Sequence, residues 1–168
     1  MDLSPLNNPA WHAIAGSHRH LAECNGAGGR YHTDVSPFGG VAGPEGLAAL
    51  SGLMSEGDTV LLAWSSTVAT PVADDFEVLM SVPVYQMLCR TPEMTTGSPS
   101  SEVDIEVLGD SHAEEMVALA ALTEPGPFAS NTHRLGRYYG VFHDGALVAM
   151  AGERFTLAGF VEVSGVCT

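Results

Sequence analysis

The chain contains no lysine. Its 168 residues carry six basic side chains, all arginine (Arg19, Arg30, Arg90, Arg134, Arg137 and Arg154), against 20 Asp plus Glu, a formal net charge of -14. Nucleic-acid binding needs a basic footprint, and none is visible. The acidic field keeps the protein soluble and suits a cationic or amine-bearing partner. No stretch approaches the ~20 continuous apolar residues of a membrane span, so no membrane insertion is expected. The opening residues, MDLSPLNNPAWHAIAG, have neither the basic nor the apolar region of a secretory signal, and the expected compartment is the cytoplasm. Cysteine is scarce: Cys24, Cys89 and Cys167 are odd in number and far apart, which argues against a disulfide framework or a zinc knuckle. Each is expected to behave as a small buried hydrophobe. His12, His18, His20 and His32 follow no ligand spacing, so no metal site is expected. Phosphate-loop and Gly-x-Ser-x-Gly motifs are missing. Gly26 to Gly29 lacks the preceding strand that a dinucleotide site requires.

What is present is a core-forming composition, with 45% hydrophobic and 15% charged residues. Residues 91–102, rich in Pro, Ser, Thr and Gly, read as a linker. They divide an N-terminal lobe, 1–90, from a C-terminal segment, 103–168. In the first lobe a helix is expected over Pro9–Cys24, with Asn8 as N-cap and Pro9 in the first turn. Residues 25–46, dense in Gly and Pro, read as mostly loop. A short helix is expected over Gly46–Met54, with Leu47, Leu50, Leu53 and Met54 on one face. Thr59–Trp64 reads as a buried strand, and Phe76–Met80 and Val84–Cys89 as two more, interrupted by Pro83.

The second segment is more regular. Val103–Leu108 alternates, with Val103, Ile105 and Val107 on the face expected to be buried. Ser111 and Glu114 have the spacing of a capping box. The helix they open runs to Thr123, with Ala113, Met116, Val117 and Ala120 inward, until Pro125 and Pro127 end it. Phe128–Gly136 is a loop or short helix. Arg137–His143 and Ala146–Arg154 form a hairpin around Asp144-Gly145, a type I′ signal. A turn at Ala158-Gly159 leads to the last strand, Phe160–Cys167. The expected fold class is α/β (α+β), a mixed sheet with flanking helices.

Several stretches occur in the order of a known family. They are Leu122-Thr123-Glu124-Pro125-Gly126-Pro127-Phe128, Thr132-His133-Arg134-Leu135-Gly136, Leu147-Val148-Ala149-Met150-Ala151-Gly152-Glu153-Arg154 and Glu162-Val163-Ser164-Gly165-Val166-Cys167-Thr168. With Asn8-Pro9-Ala10-Trp11-His12-Ala13, the His-x-His of His18 to His20, and Asp34-Val35-Ser36-Pro37-Phe38, the chain resembles the GNAT superfamily of N-acetyltransferases, in particular its FR47-like branch. The resemblance implies transfer of an acetyl group from acetyl-CoA to a small-molecule or peptide amine. It also implies that the fourth strand runs into an Arg/Gln-x-x-Gly-x-Gly/Ala turn whose helix N-terminus holds the cofactor pyrophosphate. Thr168 comes before that turn, so the C-terminal lobe is expected to be incomplete. The alternative reading is a non-catalytic GNAT-like protein that binds a ligand or partner.

By the resemblance, Val166, Cys167 and Thr168 would present backbone groups to the pantetheine arm. An attacking amine must lose a proton, and a carboxylate can take it. Glu162 is the first candidate, sharing a strand face with Ser164 and Val166 by alternation; Ser164 would orient the base or the amine. Glu153 is a second candidate, expected to be partnered by its neighbour Arg154. His133 stands alone in sequence and reads as a surface residue. Tyr138 and Tyr139 open a strand and receive no role. The edge of the fourth strand, unpaired, is expected to recruit a second copy and make a homodimer.

Overall fold

A computed structural model describes residues 2–63, 65, 74–90 and 103–168. The linker expected at 91–102 lies outside them. The architecture is mixed α/β, with two four-stranded sheets and three α-helices among the described residues. Among the described residues no helix is long and apolar enough to cross a membrane.

The first sheet has the order β1 (Ala22–Asn25), β2 (Gly28–Tyr31), β3 (Phe38–Val41), β4 (Leu61–Leu62). Its first two pairings are antiparallel and the last is parallel. Residues 25–46, expected to be mostly loop, are turn or loop for over half their length but also carry β2 and β3. Gly26 serves the β1–β2 turn at φ 57°, whereas Gly40 serves close packing: a Cβ there would lie 2.5 Å from the backbone of Trp11, so α1 (Pro9–Ala15) can lie directly on β3 only because that side chain is missing.

The helix expected over Pro9–Cys24 ends at Ala15. Gly16 leaves helical geometry, and a 3-10 turn, Arg19–Leu21, feeds β1 instead. The turn buries His18, whose Nδ1 meets the Tyr31 hydroxyl at 2.8 Å. α2 (Gly46–Ser51) is likewise shorter than Gly46–Met54, but Leu47 and Leu50 are buried as its periodicity predicts. Thr59–Trp64 yields only the two-residue edge strand β4, with Leu61 exposed; Trp64 is not among the described residues. The strands expected over Phe76–Met80 and Val84–Cys89 are not found. These residues have no ladder partner among the described residues, and Val78, Met80, Val84, Tyr85 and Met87 are exposed. Apolar alternation alone does not make a strand without a neighbour to pair with.

The second sheet is an antiparallel array, β5 (Glu106–Leu108), β6 (Tyr138–His143), β7 (Ala146–Leu157), β8 (Phe160–Cys167). The β6–β7 turn places Asp144 and Gly145 at φ 49° and 79°, both positive as a type I′ turn requires. β7 runs three residues beyond the expected Arg154. In β5 the buried face is the opposite of the one expected: Leu108 joins the core, while Val103, Ile105 and Val107 are exposed. α3 (Ala113–Thr123) packs Met116, Leu119 and Ala120 against this sheet, with Ala113 and Val117 only half-buried. The Ser111–Glu114 capping box does not form. A 3-10 turn, Asp110–His112, precedes α3, and His112 Nδ1 accepts the Gly109 N–H at 3.2 Å. The helix ends with Glu124 in the left-handed region, ahead of the two prolines.

Among the described residues, three cores hold the chain. One lies under α2, around Val41, Leu47 and Leu50. One lies under α3 and includes Leu108, Tyr138, Met150 and Cys167. The third is shared by both halves: Ala10, Ala13, Ile14 and Tyr31 pack with Leu135, Phe155 and Leu157. Tyr31 stacks on Phe155 at 6.3 Å, and the Ser17 hydroxyl donates to the Thr156 carbonyl.

Candidate functional site

The β7–β8 hairpin builds the site through irregular pairing. The register slips between Glu153 and Thr156 and again between Met150 and Gly152. At the second slip Gly165 has φ 62°, an extra residue of the G1-bulge kind that inverts the alternation beyond it. Before the bulge, Glu162 and Ser164 are half-buried while Val161 and Val163 face out. After it, Val166 is 61% exposed and Cys167 is buried opposite Met150. Val166 therefore does not share a face with Glu162 and Ser164, contrary to simple alternation.

On the inner side of the bulge is a narrow crevice. One wall is the 125–128 segment; the other is Tyr138, Arg154, Ser164 and Gly165. It closes to about 10 Å³, room for one water. The two prolines, with Glu124 left-handed before them, turn the chain out of α3 and bring Phe128 edge-on to Tyr138 at 5.7 Å. Tyr138 is buried, and burial pushes its phenol up to about 12, against a smaller downward pull from Arg154. At neutral pH it is thus a proton donor. Among the described residues its hydroxyl and that of Ser164 have no hydrogen-bond partner. Sequence reasoning gave Tyr138 no role, and Tyr139, on the opposite face, is partly exposed.

Arg154 ties the crevice together. Its Nη2 donates to Glu162 Oε1 at 2.5 Å and its Nε to Oε2 at 3.3 Å. The guanidinium lies over the rings of Phe38 and Phe155, at 5.0 and 5.1 Å. Glu153, expected to be its partner, instead accepts the Arg137 N–H at 3.0 Å and lies 3.4 Å from the Arg137 guanidinium. The signal that could have found the Arg154–Glu162 pair is positional: two residues flanking a tight turn at 158–159 fall across from each other.

The remaining candidates lie elsewhere. His133 is buried, not on the surface: its Nε2 meets Asp110 Oδ1 at 2.7 Å, and its Nδ1 has no partner among the described residues. The His133 bond, and then the Arg134 charge, hold Asp110 below the usual carboxylate range. Of the cysteines, Cys167 is buried, Cys24 is half-buried and Cys89 is exposed, so only Cys167 has the expected environment. Thr168 is exposed at the end of β8. Among the described residues, no group of three or more His, Cys, Asp and Glu could hold a metal ion.

No protein-family model matches the chain, and no curated protein does. Among solved structures it is similar to a crystal structure from Novosphingobium aromaticivorans DSM 12444, of a protein assigned as an acetyltransferase from the GNAT family. The two share 34% identity at a TM-score of 0.69, over 98% of this chain and 71% of that one.

Proposed function

This chain belongs to the GNAT family of acetyltransferases, and we propose that it is an N-acetyltransferase of the FR47-like branch, using acetyl-CoA and an amine carried by a small molecule or peptide. The observation that carries this reading is the Gly165 bulge. A bulge leaves backbone groups outside the ladder. At Val166, Cys167 and Thr168, on a strand with no further neighbour among the described residues, such groups can pair with an extended amide-bearing arm. The residues present therefore fit the pantetheine end of acetyl-CoA. Bound there, acetyl-CoA supplies an activated thioester. The chain's own contribution is to hold the amine near the bulge, exclude water, and accept one proton.

Glu162 takes that proton, directly or through a water, and Ser164 beside it orients the amine. To do so Glu162 releases one of its two bonds from Arg154. That engagement favours a second reading, in which the crevice binds its ligand without catalysis. The unpaired β8 edge joins a second copy, making a homodimer. The cytoplasm suits three free cysteines. A net charge of -14 suits an amine substrate and offers nothing to a nucleic acid.

Calorimetric titration of acetyl-CoA into the 168-residue protein, followed by thiol release with a panel of amines, tests the proposal. Saturable binding with turnover that falls about 10²–10⁴-fold in Glu162→Gln is expected. Binding without turnover supports the second reading. No binding refutes acetyl transfer by this chain.

A further inference from the structure

A second cavity, half-open and of about 520 Å³, lies where the first sheet meets the 3-10 turn Thr132–Leu135. It shares no lining residue with the crevice, and none of its residues comes from β7 or β8. Its size falls within the range of small-molecule sites. Leu21, Tyr31 and Val35 back it but are almost wholly buried, so the surface it presents is mainly polar.

The walls carry charges of both signs. Glu23 and Asp34 come from the first half, and Arg134 comes from the second. Asn131 joins the two walls: its Nδ2 donates to Asp34 Oδ2 at 2.6 Å and its N–H to the Asp34 carbonyl at 2.8 Å. Three residues make one 3-10 turn, so Arg134 projects from the same side as Asn131. Yet Arg134 forms no ion pair with Asp34 or Glu23. Its carboxylate contact among the described residues is Asp110, at 3.9 Å and on one nitrogen only, and its side chain is 53% exposed. Among the described residues Glu23 pairs only with His32, at 3.7 Å. The second guanidinium of the cavity, Arg30, is already committed to Asp58 at 2.8 Å.

An available cation and two available carboxylates thus face one cavity without neutralising each other. A simple anion there would meet Glu23 and Asp34, and a simple cation would meet Arg134. A dipolar ion satisfies both. We propose that this cavity binds a free α-amino acid, its carboxylate on Arg134 and its ammonium between Glu23 and Asp34. The inference does not rest on acetyl transfer, because binding alone is measured.

The test is calorimetric titration of the whole chain with L-leucine, with 3-methylbutylamine, which lacks the carboxylate, and with 4-methylpentanoate, which lacks the ammonium. Leucine is expected to saturate, with both analogues weaker by about tenfold or more. Arg134→Ala is expected to weaken leucine and to erase its advantage over 3-methylbutylamine. Glu23→Gln is expected to narrow its advantage over 4-methylpentanoate. These preferences are ratios within one protein, so a partly unfolded variant does not mimic them. No saturation by leucine up to about 10 mM, an analogue binding as tightly as leucine, or an unchanged preference in Arg134→Ala would overturn the proposal.

Discussion

The ion pair between Arg154 and Glu162 can be tested independently of any substrate. Its two hydrogen bonds, at 2.5 and 3.3 Å, join side chains 27% and 34% exposed, with the guanidinium over two phenyl rings. Unit charges about 4 Å apart attract by about 1 kcal/mol in water and about 4 kcal/mol at an effective dielectric near 20. Partial exposure, desolvation and side-chain ordering reduce that to a net coupling of about 1–2 kcal/mol. Glu162→Gln keeps one acceptor oxygen and loses the charge, so it should cost about 1 kcal/mol. Glu162→Ala, which strands the cation against Phe38 and Phe155, should cost about 2 kcal/mol. Arg154→Met keeps the ring contact and loses both bonds. The assay is urea unfolding of both single variants and the double variant Arg154→Met/Glu162→Gln, read as a double-mutant cycle. Because the pair is half-buried, most of the coupling should survive about 1 M NaCl. A coupling below about 0.3 kcal/mol, or one abolished by salt, would refute the pairing and free Glu162 of its constraint as a base.

Three further outcomes are expected. Gly165→Ala puts a Cβ at φ 62°, 3.2 Å from the Tyr138 ring and 3.8 Å from Phe128; thermal unfolding should show a loss of about 1–2 kcal/mol, and acetyl-CoA affinity should fall with it. Burial, reinforced by His20, holds the His18 imidazole below the usual histidine range. A depressed imidazole contributes stability that is present above its unfolded value of 6.5 and is lost as pH falls through the folded value, so urea midpoints should drop on acidification below pH 6.5 and drop less in His18→Asn. Tyr138, raised from 10.0 to about 12, contributes stability that is complete below pH 10 and lost as pH rises through 12, about 2–3 kcal/mol in all; Tyr138→Phe should flatten that alkaline decline and remove a late step in the 295 nm titration.

The second half of the chain was far more legible than the first. Asp144-Gly145, the prolines after Thr123 and the alternation of the last three strands are signals carried by near neighbours, and the hairpins follow from them. In the first half, glycine density hides two strands: residues 25–46 read as mostly loop, yet β2 and β3 lie within them, and Gly40 is small because Trp11 lies on it. The apolar runs at 76–80 and 84–89 read as strands, yet strand formation depends on a partner that local sequence does not name. The site divides in the same way. Glu162 and Ser164 were visible by alternation, but Val166 was placed on their face because the effect of Gly165 was not foreseen. Arg154 was matched to its sequence neighbour when its partner lay across the hairpin, and His133 was read as exposed because nothing nearby in sequence announces Asp110.

Local sequence was enough for the mixed α/β class, the strand–helix–strand–strand–strand order after residue 103 and the turns that join the last three strands, since each depends on residues within a few positions of one another. Only the tertiary structure decided that the two halves share a core through Tyr31 and Phe155, that β5 buries Leu108 rather than Val107, and that the crevice closes on Tyr138. Burial is a property of what packs across a face. A one-residue bulge or a neighbouring helix can reverse it without any change in the local pattern.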